Sequence, residues 1–383
     1  MKKYYFSLLT ICILAIANLV AAWTVTGYSD FYVEKIFPAF LKTYGALTGK
    51  LSFSIGEILL YAFVVYVILS LLLYLVRLIF KLCKKKVLSN AVKVNTRVLC
   101  FLITLVVVLQ INNCFVMYHT SRLLDDCAMN EYQPTREDLI ALQRALAESA
   151  NDLYLTFERD EKGEIINVGD QADKAVMAMK NLSKLSEEKA IEEGPNADFY
   201  KKLGRLCGNY SRPKPFKSSK FFSQQGILGY YFPFSLEANY NQMMYIVNYP
   251  STFCHELSHL KGFIREDEAN FVSYLACMNS EDDFMRYSAM LSLLSYMYEK
   301  MDEDPSLKAE YAGIYPRVYK DMAFLTKEAW EKVEESAIIS TETVNKASQE
   351  FLEANLTLNG VEEGIISYNG VVELALKFYF GER

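Results

Sequence analysis

The chain has 383 residues, 52% of them hydrophobic and 14% aromatic, and its 40 basic and 46 acidic side chains leave a formal net charge of −6. That length accommodates two domains and a sizeable core, while the acidic balance excludes general nucleic-acid binding, which requires a basic footprint. The apolar content is high for a purely soluble protein and is concentrated near the N-terminus.

Three stretches, at about residues 4–23, 55–80 and 98–118, are each long and apolar enough to cross a bilayer. The first follows Met1-Lys2-Lys3. The second has Glu57 near one end and Arg77 near the other, where it can snorkel, and the polar residues of the third, such as Gln110, Asn112 and Asn113, are uncharged. Lys2 and Lys3 precede the first span, Arg77, Lys81, Lys84, Lys85 and Lys86 follow the second, and Lys93 and Arg97 precede the third. If these basic sites face the cytoplasm, the third span runs outward. Residues 1–118 then form a three-helix anchor in the cell membrane, and residues 119–383 an extracytoplasmic domain. A signal peptide cleaved near Val20-Ala21-Ala22 would not change that side, because the second span would still start outside. The loop at 24–54 carries an apolar run, 33–41, that suits either the membrane surface or a packed loop. No CxxC pair occurs among the eight cysteines, and a Cys127–Cys207 disulfide is open in an oxidising exterior.

The outer domain opens on a helix signal. Pro134-Thr135-Arg136-Glu137-Asp138 supplies a capping residue and acidic residues suited to the positive end of the helix dipole. Leu139, Ile140, Leu142 and Leu146 follow at helical spacing. A polar stretch at 160–169 breaks the pattern, and a second helix is expected over 171–187. From 211 to 250, Pro213, Pro215, Gly226, Gly229, Pro233 and Pro250 punctuate short aromatic runs, so 227–232 and 239–249 read as strands or extended segments. A helix at about 252–261 is ended by Gly262 in the left-handed manner, and the next begins near Arg265 and continues through Cys277. The remainder reads as mostly helical, with loops at 303–306 and 359–364. Strand-like segments embedded among helices describe an α+β domain, mostly helical with a small sheet.

The chemistry lies in His255-Glu256-Leu257-Ser258-His259, which holds two of the chain's three histidines. Residues four apart share a helix face, so the two imidazoles can meet one metal ion. Glu256, one residue round, reaches a water rather than the metal. Two His ligands, a general base and an open position are the arrangement of a zinc hydrolase. A surface helix with two incidental histidines is the bland alternative. Against it stand the helix start at Tyr249-Pro250-Ser251-Thr252, the apolar side formed by Phe253 and Leu257, and the acidic run after Gly262. A catalytic site needs a third protein ligand. No histidine remains downstream, so a carboxylate is expected, Glu266 or Glu268, which lie on different helix faces. Asn270 shares the face of Glu266 and can act as an amide that fixes a neighbouring imidazole. The choice therefore falls on Glu266 with Asn270, and Glu268 is the alternative.

His255-Glu256-x-x-His259 with Glu266-x-x-Ala269-Asn270 resembles the gluzincin pattern, in which a helix bearing Glu-x-x-[Ala/Ser]-[Asp/Asn] supplies the third ligand. The resemblance implies Glu266 as ligand and Asn270 in the place of the usual Asp, although only six residues separate His259 from Glu266, fewer than in most gluzincins. Over most of its length the chain also resembles the domain of unknown function 3810 family, bacterial membrane proteins of uncharacterised activity with a zincin-like core. That likeness rests on the apolar spans, Gly229-Tyr230-Tyr231-Phe232-Pro233-Phe234, Glu237-Ala238-Asn239, the histidine motif, Gly262, Glu266 to Phe271, and Gly364-Ile365-Ile366-Ser367-Tyr368.

The expected function is a membrane-anchored zinc metallopeptidase acting on peptides or proteins. Zinc would lower the pKa of a water and polarise the scissile carbonyl, and Glu256 would carry the water's proton to the leaving amine. The segment Glu237-Ala238-Asn239-Tyr240-Asn241 could pair with a substrate strand or be an ordinary strand. Tyr368 is a candidate oxyanion donor, and Cys254 and Cys277 read as small core residues. A zinc-binding membrane sensor or assembly protein without turnover is the competing class. Intramembrane proteolysis is disfavoured because the motif lies far from the spans.

Overall fold

The computed structural model of the chain describes residues 2–82, 89–192, 194–360 and 370–381. The chain is mostly helical with one small sheet. It divides into two compact units, Met1–Thr120 with Phe232–Glu237, and Ser121–Tyr231 with Ala238–Arg383.

In the first unit, three helices are long and apolar enough to cross a membrane: α1 (Lys2–Thr24), α2 (Ile55–Leu82) and α3 (Ser89–Asn113). Most of their apolar side chains are exposed, the surface a bilayer would cover. α3 starts nine residues before the apolar run because the polar segment from Ser89 continues the same helix. Polar groups within these helices pair across helix contacts. Asn18 Nδ2 donates to Asn112 Oδ1 at 2.6 Å, and the Tyr66 hydroxyl donates to Asn95 Oδ1 at 2.8 Å. The loop between α1 and α2 is a run of short helical turns, widened at Tyr32–Ile36 and Leu41–Gly45. Val33 and Phe37 of its apolar run are buried, so that run packs.

The segment Phe232–Glu237 has a definite task in this unit. The Glu237 carboxylate, fully buried, accepts from the backbone N–H of Gly56 at 2.7 Å and of Ile55 at 3.3 Å, capping the positive end of α2. Any Cβ on Gly56 would collide with the Phe232 ring, so glycine is required there.

In the second unit the cap expected at the start of the first helix is in place. Thr135 and Asp138 form a reciprocal capping box at the start of α4 (Arg136–Tyr154). Asp170 accepts from Ala172 and Asp173 N–H to start α5 (Gln171–Ala190). The sheet comprises β1 (Lys214–Pro215), β2 (Gly229–Phe232) and β3 (Glu237–Tyr240), in the order β1-β3-β2. β1 runs parallel to β3, with Lys214 opposite Asn239 and Pro215 opposite Tyr240. The extended run expected over 239–249 stops at Tyr240. Asn241 turns the chain by accepting from Met243 N–H at 2.9 Å while its amide donates to Ser223 and Ile227.

The next helix, α6 (Tyr249–Leu260), begins three residues earlier than expected. Pro250 explains the difference: in the first helical turn it forfeits no intrahelical bond, and its fixed φ suits the start. Gly262 at φ +91° ends this segment, and α7 (Glu266–Met278) follows. α6 packs on α5, α7 and α8 (Asp283–Glu303). Phe253, Leu257, Phe271 and Leu294 are among the apolar side chains this assembly buries. Asp321 is a buried polar hub. Its Oδ1 accepts from Tyr245 at 3.1 Å and Arg159 Nη1 at 3.2 Å, and its Oδ2 from Arg159 Nη2 at 2.6 Å and Tyr287 at 2.7 Å.

Candidate metal centre

Three side chains from two helices converge at one point. α6 turns Phe253 and Leu257 into the core, which leaves His255 and His259 on an adjoining face one turn apart. α7 then brings Glu266 to them. Its Oε2 lies 3.2 Å from His255 Nε2 and 3.6 Å from His259 Nε2. A tetrahedral ion with bonds of about 2.0–2.1 Å holds its ligand atoms about 3.3 Å apart. The donor set and spacing therefore fit a divalent metal ion, and the three ligand atoms all lie within 4.8 Å of one another.

The supporting contacts are those a ligand histidine needs. His259 Nδ1 lies 2.7 Å from the Phe263 carbonyl, which can only accept, so Nδ1 carries the proton and Nε2 faces Glu266. Burial by itself would lower the His259 pKa, but the Glu266 carboxylate overcomes it and carries the group up to about 9. The same balance holds Glu266 well below the usual carboxylate range: burial opposes its charge, and the two imidazoles more than compensate. At His255 burial prevails, aided by His259, and its pKa is lowered.

Glu256 is only 4% exposed and stands beside this cluster. Its Oε2 is buried with no hydrogen-bond partner among the described residues, and burial pushes its pKa up to about 8. β2 covers it closely. A Cβ built on Gly229 would sit 2.5 Å from Glu256 Oε1 and 2.7 Å from its Cγ. A cation held by the cluster would draw the Glu256 carboxyl back toward its charged form.

The structure separates the two carboxylates that the sequence left as alternatives. Glu268 points elsewhere: its Oε1 accepts from Leu123 N–H at 2.8 Å and lies 3.5 Å from Arg122 Nε, while neighbouring Asp267 also pairs with Arg122. Asn270 lies against His255, and its Nδ2 donates to the Tyr296 hydroxyl at 3.0 Å.

The structure bears on two alternatives that the sequence left open. Glu237–Tyr240 is the middle strand of the sheet, with β1 paired to it at Asn239 and Tyr240, which fits the ordinary-strand alternative; the sheet edge near Glu256 is β2. Cys127 and Cys207 are free thiols, with Cys127 Sγ donating to the Asp125 carbonyl at 3.5 Å rather than bridging. Cys254 and Cys277 are fully buried, as expected of small core residues. Tyr368 and the segment 364–368 lie outside the described residues. Reasoning from sequence missed Gly229 and Tyr296 as neighbours of the site. Gly229 had a signal in its place within an aromatic strand; Tyr296 had none to distinguish it among 27 tyrosines.

No curated protein and no solved structure shows significant similarity to this chain. The family described as protein of unknown function DUF3810 matches residues 32–376, most of the chain, which therefore belongs to that family.

Proposed function

We propose that this protein is a membrane-anchored zinc metallopeptidase of the zincin type, with His255, His259 and Glu266 as ligands and Glu256 as general base. One observation carries the reading: the imidazole and carboxylate atoms lie at the separations of a tetrahedral ion, with a buried glutamate adjoining them. Among common ions, an N2O donor set of this kind suits zinc, whose ordinary ligands are His and Glu.

Zinc bound there would supply Lewis-acid polarisation of a peptide carbonyl and a more acidic water. The chain's own groups do the rest. Phe263 and Asn270 orient the imidazoles, the closely packed surroundings of Glu256 limit competing water, and Glu256 takes a proton from the attacking water and returns it to the leaving amine. The distribution of Lys and Arg around the apolar helices supports an extracytoplasmic site. A reporter fused after Arg383 is then expected to be active only outside the cytoplasm.

A second reading is a zinc-holding sensor or assembly protein without turnover. The close cover of Gly229 over Glu256 favours it, because it leaves little room at the base. Full-length protein in detergent decides between the two. The peptidase reading expects Glu256→Gln to retain one zinc per chain and to lose cleavage of a peptide library that the parent cuts. Zinc in both proteins with cleavage in neither supports the sensor.

A further inference from the structure

We propose that Tyr296 is a positioning residue of the metal centre, holding the Asn270 amide in the orientation that lets His255 act as a ligand. The inference rests on the reading of His255, His259 and Glu266 as a zinc site.

His255 presents Nε2 to Glu266, so Nδ1 lies on the far side of the ring and must carry the proton when the Nε2 lone pair is given to an ion. His259 solves the same problem with the Phe263 carbonyl. Among the described residues His255 has no backbone carbonyl in that role: its Nδ1 is buried without a hydrogen-bond partner. The side chain that lies against this imidazole is Asn270, one turn along α7 from Glu266.

An amide has two unlike ends. With Oδ1 toward His255 it accepts the Nδ1 proton and leaves Nε2 for the ion. With Nδ2 toward His255 it donates to Nδ1 instead and drives the proton to Nε2, which then cannot coordinate. The first orientation leaves Nδ2 needing an acceptor in a largely buried place, and the Tyr296 hydroxyl on α8 supplies it at 3.0 Å. Burial and the nearby Glu266 carboxylate keep that hydroxyl protonated and neutral, so it remains a competent partner. A carboxylate at position 270 would not need this help, because its two oxygens are both acceptors. The structure thus assigns Tyr296 to the consequence of having Asn rather than Asp beside His255.

The test is a zinc-affinity cycle on the full-length protein in detergent, by competition with a chromophoric chelator. Tyr296→Phe is expected to weaken zinc binding about tenfold, the lower end of what loss of a group supporting a ligand costs. In the Asn270→Asp background the same Tyr296→Phe change is expected to have little effect, and thermal unfolding of each metal-free variant checks that it is folded. Parental affinity in Tyr296→Phe overturns the inference while leaving the zinc site standing. An equal loss in both backgrounds also overturns it, since Tyr296 would then act by packing rather than through the amide. A parent that binds no zinc removes the metal-centre reading and this inference with it.

Discussion

Gly229→Ala adds one methyl group, and the structure says where it goes. The new Cβ would lie 2.5 Å from Glu256 Oε1, 2.7 Å from Cγ and 2.8 Å from Cδ. Ordinary contacts between such atoms begin near 3.5 Å, so the Glu256 side chain must retreat by about 1 Å. Because Cγ is among the crowded atoms, turning the carboxylate alone does not relieve the overlap; the whole side chain or β2 must move. Overpacking of this kind costs about 1–3 kcal/mol, which in a domain of this size lowers the melting temperature by roughly 2–4 °C per kcal/mol. A base misplaced by about 1 Å costs on the order of a hundredfold in rate. The zinc ligands are untouched, so zinc stoichiometry should stay at the parental value. Differential scanning fluorimetry, zinc analysis and peptide cleavage on the purified full-length protein read the three quantities. A Gly229→Ala protein with parental melting temperature and parental turnover would refute the close approach of β2 to Glu256.

Further outcomes follow from the same geometry. Glu266→Ala should abolish stoichiometric zinc, whereas Glu268→Ala should keep zinc and lower the melting temperature by releasing Arg122 and the Leu123 N–H; the two variants are compared by zinc analysis and thermal unfolding. Asp321→Asn should cost about 3–5 kcal/mol in denaturant titration, because Arg159, itself nearly buried, loses its counter-charge. Zinc affinity should rise with pH. His259 is held up to about 9, so below that value a proton competes for the ligand, and binding should weaken by up to about tenfold for each unit of acidification; chelator competition between pH 6 and 9 measures it.

Much of this molecule is legible from local pattern. The three apolar helices follow from run length, since a helix that crosses a bilayer must present apolar side chains all round. Thr135 and Gly262 announce helix ends because caps satisfy backbone groups within one turn. The pairing of His255 with His259 is written in a four-residue spacing that any helix turns into proximity.

What required the tertiary structure was every decision carried by contacts distant in sequence. Glu266 and Glu268 are two residues apart, and the spacing that puts them on different faces does not say which face meets the histidines; Leu123 and Arg122, some 145 positions away, claim Glu268. Gly229 reaches Glu256 from a strand, Tyr296 reaches Asn270 from the next helix, and β3 lies in the middle of its sheet because β1 joins from the far side. Periodicity fixes which residues share a face of one element, since that is set by backbone geometry. Which element that face meets is set by the packing of the whole chain.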